Sequence, residues 1–420
     1  MTAHRQRQAR WAAMAVAAGG VAGCGNGDET LSVPVAEGLA GVAAEHGCLL
    51  SEQMACDIMN ETCQRGVAEL ASCLRHGAQA PVLMPEIEFA SEAEIRQQTL
   101  DSLSEFDPEA PNPYRDALVA FGLTVPDAFD PDTVATRYAE STLAFYRFGE
   151  GQIVIIEHED PPDNTTAAAL LLHEMLHAVQ DAKHDLSSLQ EPVDDSDERL
   201  ALSCLIEGEA RMYEELAQAS LWGLDVPSLD FERHFANRLE LDEQWLIEQA
   251  DVYNNAFSTV PYAHGTDFVH RVLVQEGQPA VLELFERPLQ AMRPIMGSVW
   301  GQELSGEAGE LTTPSPPGGA ATAHILDHLG SLGLYLFVRQ LPTEDARELA
   351  LAWRADVLDA FTLEDGSTAA RWLIEFADED AATALADAAA TRVSDARVRG
   401  RQVLLVSAEG TPPEWLYEAL

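Results

Sequence analysis

The feature that most constrains the fold is a helical segment with two histidines four residues apart. Thr165 and Thr166 can cap a helix that continues through three alanines and three leucines to His184. His173 and His177 then project from one face of this helix, where both imidazoles can bind a single cation. If they do, the chain must fold so that another element supplies the remaining ligand at this face.

An acidic residue directly follows the first histidine. Glu174 lies about a quarter turn from the ligand row, beside the open coordination position. A carboxylate there can accept a proton from metal-bound water, whose pKa the metal lowers toward about 7. With 12 histidines and 70 acidic residues in 420, chance predicts roughly 0.06 matches to His-acid-x-x-His. The spacing therefore favours a metal centre over the alternative of two surface histidines.

A second long helix is predicted near residues 196–220, and it contains Glu207-Gly208-Glu209. A glycine inside a helix costs roughly 1 kcal/mol relative to alanine. Gly208 therefore indicates close packing, which we expect against the histidine helix. Either glutamate could supply the third metal ligand, and Glu209 shares a helix face with apolar residues, which also suits a buried acid behind the ligands. Periodicity alone leaves this choice open.

The histidine helix and the Leu205–Ala210 run together resemble the gluzincin clan of zinc peptidases. The resemblance implies a zincin-like fold and one zinc ion held by His173, His177 and Glu207. It also implies a role for Tyr262, which lies in a Tyr-Ala-His-Gly element before an apolar helix. The hydroxyl of this tyrosine would stabilise the oxyanion that develops during peptide hydrolysis.

The chain departs from this clan at two motifs. It lacks the Gly-x-Met-Glu-Asn motif of the aminopeptidase branch, and Arg211 stands where the thermolysin-like branch has an aspartate. Endopeptidase and aminopeptidase activity therefore both stay open. Asp181, Asp185 and Glu209 are candidates for orienting a ligand histidine. More narrowly, the two motifs are similar to those of uncharacterised exported bacterial metallopeptidase lipoproteins.

The N-terminal residues have the pattern of an export signal. Three arginines up to Arg10 precede the apolar run from Trp11 to Ala22, which is too short for a permanent membrane span. The run ends in Val-Ala-Gly before Cys24, which resembles the bacterial lipobox. We expect cleavage after residue 23, lipidation of Cys24 and anchoring to a bacterial membrane, on its periplasmic or cell-surface side. A secretory peptide cleaved at another small residue is the alternative.

Four further cysteines crowd one region and predict two disulfides in an oxidising compartment. Three pairings of Cys48, Cys56, Cys63 and Cys73 are possible. Intervals near seven residues suit a helical hairpin with nested Cys48–Cys73 and Cys56–Cys63 bonds, while a metal site is the lesser alternative. The odd thiol, Cys204, is interpreted as a small buried side chain rather than a fourth ligand.

The remaining pattern predicts an α+β protein. Two β-rich runs, Leu143 to Arg147 and Gln152 to Ile156, predict a hairpin and hence a small sheet on the N-terminal side of a mostly helical domain. A helix near residues 324–340 and an alternation of strands and a helix over 353–408 follow. The expected segments are a signal peptide at 1–23, a tether and Cys-rich helical segment at 24–80, a linker with one short helix at 81–113, a zincin-like core at 114–305, a loop at 306–323 and a helical and α+β subdomain at 324–420. Expected core aromatics are Trp245, Phe257, Phe268 and Phe285.

The formal net charge of −45 argues against nucleic-acid binding, because such a surface repels phosphate backbones. Two functions fit the sequence. The first is a zinc-dependent peptidase that acts on peptides or proteins, with Glu174 as general base. The second is a non-catalytic lipoprotein that keeps the same fold for binding or for envelope structure. The presence of Glu174 favours the first, since a protein without catalysis has no need of it.

Overall fold

The computed structural model describes residues 48, 56–77, 79–104, 112–302, 304, 309–343 and 346–420. Cys24 and the expected signal peptide lie outside these residues. The helices are α1 Glu61–His76, α2 Glu92–Ser102, α3 Pro113–Ala120, α4 Pro131–Ser141, α5 Asn164–His184, α6 Leu186–Gln190, α7 Ser196–Leu221, α8 Phe231–Ile247, α9 Val252–Glu276, α10 Gln278–Glu286, α11 Arg293–Val299, α12 Gly330–Val338, α13 Ala346–Ala352 and α14 Glu379–Ala389. The strands are β1 Glu86–Ser91, β2 Ala144–Arg147, β3 Gln152–Glu157, β4 Ala321–Asp327, β5 Trp353–Leu363, β6 Thr368–Phe376, β7 Asp395–Arg399 and β8 Gln402–Ala408.

The expected α+β class is confirmed. A small sheet in the order β1-β3-β2 lies toward the N-terminal side, and an antiparallel sheet in the order β4-β5-β6-β8-β7 lies toward the C-terminus. The predicted hairpin is present as β2 and β3, which pair antiparallel. Within the described ranges, no helix combines the length and the apolar character that a membrane span requires.

The small sheet separates two apolar layers because alternate residues of a strand face opposite sides. Ile153 and Ile155 of β3 belong to the main core, together with Leu171 and Met175 of α5. Val154, like Ile156, packs in a smaller cluster with residues of β1, α2 and α4. The sheet thus supports the histidine helix on one face and is covered by short helices on the other.

The linker expected at residues 81–113 is in part a structural element. Glu86–Ser91 forms β1, which pairs parallel with β3, and α2 follows it directly. Ser91 caps α2 and exchanges a reciprocal hydrogen bond with Glu94. This pairing joins residues about 65 positions apart in sequence, and for that reason the local composition, rich in acids and prolines, could not reveal it.

Two expectations for the C-terminal part were wrong. Residues 321–327 form strand β4, although 321–323 were expected to be the end of a loop and 324–327 the start of a helix. The strand forms because its backbone pairs antiparallel with that of β5. The helix begins only at Gly330, whose φ of +69° suits glycine. An additional strand, β7, also precedes β8.

The main core includes residues from both sides of the loop expected at 306–323. Phe121, which ends α3, contacts Phe337 of α12 and Trp372 of β6, with ring centroids 6.0 and 5.7 Å apart. The C-terminal sheet therefore packs directly on the helical part. Trp245, expected in this core, is instead 42% exposed on α8, since it lies on the solvent side of that helix.

The predicted nested disulfides are confirmed. Cys48 bonds to Cys73 and Cys56 bonds to Cys63. The second pair closes the short segment that leads into α1, and Asn60 caps this helix. Cys204 is a buried free thiol, as expected, and its Sγ lies 3.6 Å from the Sδ of Met292.

Candidate metal centre

The two histidines lie in the middle of α5, which Asp163 caps by accepting hydrogen bonds from the backbone of Thr165 and Thr166. Thr165 and Thr166, which were expected to cap the helix, instead donate the backbone hydrogen bonds of its first turn. His173 and His177 are 5% and 3% exposed, so their imidazoles are fixed by packing. The helix is buried over most of its length between the small sheet, α1 and α7.

Helix α7 supplies a carboxylate to the same point, and the carboxylate is that of Glu207. Its Oε2 lies 3.1 Å from the Nε2 of His173 and 3.2 Å from the Nε2 of His177. The two Nε2 atoms are 3.0 Å apart. These three donor atoms could hold a metal ion. Glu209 points away from them, which resolves the choice that periodicity left open.

The donor triangle matches the dimensions of a tetrahedral site. Zinc bonds of 2.0–2.1 Å at tetrahedral angles place neighbouring ligand atoms about 3.3 Å apart. The observed separations of 3.0, 3.1 and 3.2 Å are close to this value. Two imidazole nitrogens and one carboxylate oxygen also form a donor set typical of catalytic zinc. The residues therefore fit such an ion.

Each imidazole is oriented from behind through its Nδ1. The Nδ1 of His173 donates to Glu214, 3.1 Å away, and the Nδ1 of His177 donates to the side-chain carbonyl of Gln180, 2.9 Å away. Both Nε2 atoms therefore face the shared point. Glu214 and Gln180 were not among the predicted site residues. Glu214 follows Glu207 by seven residues, and this spacing, two helical turns, was a signal that could have identified it.

Asp181 does not orient a ligand histidine, although this was predicted, and Glu209 contacts His177 only through another side chain. Asp181 instead accepts hydrogen bonds from the Tyr146 hydroxyl and the Leu186 backbone, both at 2.8 Å. It lies one turn beyond His177, where α5 turns into α6. Asp185 caps α6. Glu209 accepts a hydrogen bond from Gln180 at 2.9 Å and so reaches His177 through that amide.

Gly208 packs against α9 and not, as expected, against the histidine helix. A Cβ atom on Gly208 would lie 2.3 Å from the carbonyl carbon of Gly265. A Cβ on Gly265 would in turn lie 2.3 Å from the carbonyl oxygen of Cys204. The two backbones are in direct contact, because neither glycine carries a side chain. This crossing brings Tyr262, one turn before Gly265, next to Glu207.

Tyr262 lies within α9, whereas the resemblance suggested a position before the helix. Its ring stacks on that of His173 with centroids 5.9 Å apart. Burial raises the pKa of its phenol well above the usual range, and the negative charges of Glu207 and Glu174 raise it further. The phenol therefore stays protonated and donates a hydrogen bond to Glu207.

Buried charges determine the protonation of the other site groups. Burial lowers the pKa of His173, but its hydrogen bonds to Glu207 and Glu214 outweigh this and raise it to about 10. Burial raises the pKa of Glu207, but the charge of His177 and the hydrogen bond from His173 hold it far below its usual value. Burial raises the pKa of Glu174, and the positive histidines offset this only in part. Glu174 is thus a base with raised proton affinity beside the donor triangle.

Comparison of the chain with protein-family models, with curated proteins and with solved structures found no match.

Proposed function

We propose that this protein is a zinc-dependent peptidase. The observation that carries the proposal is the convergence of His173, His177 and Glu207 within 3.2 Å of one another, with Glu174 beside them on the same helix. A structural zinc site is closed by four protein ligands, whereas a set of three leaves the fourth position open. The additional buried acid Glu174, and the buried phenol of Tyr262 hydrogen-bonded to Glu207, support a catalytic site.

Each residue has a defined role in this proposal. Zinc bound by the two histidines and Glu207 would supply Lewis-acid activation of water and of the substrate carbonyl. Glu174 accepts a proton from the attacking water and then donates it to the amine leaving group, for which a raised pKa is favourable. Tyr262, protonated at neutral pH, donates a hydrogen bond to the developing oxyanion.

We further propose that the protein acts outside the cytoplasm, anchored by a lipid on Cys24. The pairing of the four N-terminal cysteines supports this, since disulfides persist in oxidising compartments. Radiolabelled palmitate should be incorporated into the wild-type protein during expression in bacteria, and Cys24→Ala should abolish the incorporation. Equal labelling of both proteins would contradict the anchor.

The peptidase is tested with the full protein and the isosteric variant Glu174→Gln. The wild type should contain one zinc ion per chain and cleave members of a peptide library, and a chelator should abolish cleavage. Loss of a general base typically costs about 10²–10⁴-fold in rate, so Glu174→Gln should lower kcat by that factor while its zinc content stays the same.

Two outcomes would contradict the proposal. Cleavage that survives both chelation and Glu174→Gln would place the activity elsewhere. A zinc-loaded wild type that cleaves no peptide would favour a non-catalytic metal-binding lipoprotein instead.

A further inference from the structure

A chain of fully buried polar side chains extends from His177 away from the metal centre. Gln180 receives the Nδ1 hydrogen of His177, and its own amide nitrogen donates to Glu209. Glu209 is in turn paired with Arg75 of α1, whose Nε lies 3.1 and 3.0 Å from its two oxygens. Gln180 and Glu209 are 0% exposed and Arg75 is 1% exposed. Arg75 is two residues from Cys73, so the chain ends in the Cys-rich segment.

The amide of Gln180 has only one orientation that satisfies its neighbours. Its nitrogen lies 3.0 Å from the carbonyl oxygen of Ile206 and 2.9 Å from Glu209, and both of these groups accept hydrogen bonds. Its oxygen must therefore face His177, which places the hydrogen of this imidazole on Nδ1. The Nε2 of His177 is consequently available as a ligand. Rotation of the amide would reverse this arrangement.

Arg75 fixes the position of the Glu209 carboxylate. Its Nε lies 3.1 and 3.0 Å from the two carboxylate oxygens, and both side chains are buried. The Oε2 of Glu209 that contacts Arg75 is also the oxygen that accepts the hydrogen bond from Gln180. Without Arg75 the carboxylate would lose the contact that holds this oxygen in place. Gln180 would then lose an acceptor that fixes the orientation of its amide.

The other ligand histidine, His173, is oriented by a carboxylate that it contacts directly. Glu214 receives the Nδ1 hydrogen of His173 directly and is itself paired with Arg211 at 2.7 Å. Each imidazole thus has a buried arginine–glutamate pair behind it, but the pair behind His177 is separated from it by a neutral amide. Only the pair behind His177 includes a residue from outside α5 and α7.

We propose that Arg75 is a positioning residue of the metal centre, which acts on His177 through Glu209 and Gln180. The Cys-rich segment then helps to position a metal ligand and is not a separate N-terminal module. Val67 and Leu74 of α1, both 0% exposed, pack in the core shared with α5, and this packing holds Arg75 in place. The inference rests on the proposed function only through the metal ligands, and not through peptide cleavage.

The test measures zinc affinity by competition with a chromophoric chelator, together with the visible absorption spectrum of the cobalt-substituted protein. Arg75→Met should weaken zinc binding about 10–100-fold, as is typical when a residue behind a metal ligand is lost, and should alter the cobalt spectrum. Arg75→Lys, which keeps the charge, should restore most of the affinity. Gln180→Met should weaken binding like Arg75→Met, and it provides the test if Arg75→Met does not fold.

The matched control is Arg371→Met in the C-terminal sheet. Arg371 and Asp359 form an equally buried pair, with both side chains 0% exposed and 2.6 Å apart. Loss of Arg371 should lower stability and leave zinc affinity and the cobalt spectrum unchanged. An equal loss of affinity in this control would overturn the inference, because the effect would then be general destabilisation.

The remaining outcomes are equally decisive. Unchanged affinity in folded Arg75→Met and in Gln180→Met would overturn the inference. A wild type that binds no zinc would overturn both the inference and the proposed function. A wild type that binds zinc and cleaves no peptide would overturn the proposed function alone, while the comparison of Arg75→Met with Arg371→Met would still decide the inference.

Discussion

At the scale of single residues, the site contains two groups whose protonation suits opposite tasks. Glu174 and Tyr262 are both buried next to Glu207, and burial raises the pKa of each. For the carboxylate this increases its capacity to take a proton from water, and for the phenol it secures a hydrogen-bond donor at neutral pH. The two side chains reach the donor triangle from different helices, so each can be removed without displacing the other.

The phenol is the first residue to test. Tyr262→Phe removes one hydrogen-bond donor and keeps the ring that stacks on His173. We expect kcat at full zinc occupancy to fall by about 10²–10³-fold, as for loss of an oxyanion donor, with little change in KM. Steady-state kinetics and zinc titration of the variant check this. Wild-type kcat in Tyr262→Phe would assign the tyrosine to packing alone.

A second residue-scale prediction concerns acid stability. Burial and the charge of Arg271 lower the pKa of His270 to about 4, and neither ring nitrogen has a hydrogen-bond partner within the described residues. The unfolded chain binds this proton near pH 6.5 and the folded protein only near pH 4, so stability is lost as pH falls through this interval. The loss is at most about 3 kcal/mol.

The His270→Leu variant cannot take up this proton in either state. Its thermal midpoint should therefore fall less than that of the wild type between pH 7 and pH 5, as measured by circular dichroism. Identical pH dependence of the two proteins would contradict the assignment. The carboxylates of Glu215 and Glu243 have pKa values of about 2 in the folded protein. The stability that they contribute is therefore lost only at a lower pH, as it falls below about 4.5 toward 2.

At the scale of elements, the crossing of α7 and α9 decides where the site residues lie. Gly208 and Gly265 allow the two backbones to touch, and Glu207 and Tyr262 are placed on either side of this contact. Without it, neither helix alone could bring the phenol to the ligand. If the protein is the proposed peptidase, the crossing is needed for catalysis as well as for packing.

Gly208→Ala tests this crossing. The added methyl would meet backbone atoms that cannot move independently, so we expect a loss of about 1–3 kcal/mol in the free energy of unfolding and a lower kcat. Gly66→Ala in α1 is the control, because nothing lies within 4 Å of the added methyl. It should raise stability by about 1 kcal/mol. Chemical denaturation compares them, and equal stability of the two variants would refute the crossing as the cause.

At the scale of the whole molecule, the charge of −45 opposes the compact state through self-repulsion. Added salt screens exposed charges over about 10 Å at 0.1 M. We therefore expect the thermal midpoint to rise as NaCl increases from low concentration to about 0.5 M. The ion pairs Arg75–Glu209 and Arg371–Asp359 are fully buried, so salt should hardly weaken their attraction. A midpoint that falls with salt would show that exposed ion pairs outweigh the repulsion.

The local part of the site could be predicted from the sequence. The spacing of His173 and His177 fixes a shared helix face, and Glu174 follows from the same geometry. The disulfide pairing was also correct, because the intervals between the cysteines are short. The histidine spacing and the Cys56–Cys63 bond, which spans 7 residues, cover at most about two helical turns, where backbone geometry alone relates one residue to the next. The Cys48–Cys73 bond spans 25 residues and encloses the shorter one.

Only the tertiary structure decided between Glu207 and Glu209 and revealed the parts behind the ligands. The rotation of α7 about its axis depends on the contact between Gly208 and Gly265, and one candidate glutamate is thereby directed to the histidines and the other to Arg75. The Arg75–Glu209 pair spans 134 residues, and the β1–β3 pairing, for example Glu86 with Gln152, spans 66. Helical periodicity relates neighbours along one element, but the rotation and contact of separate elements are set by packing of the whole core.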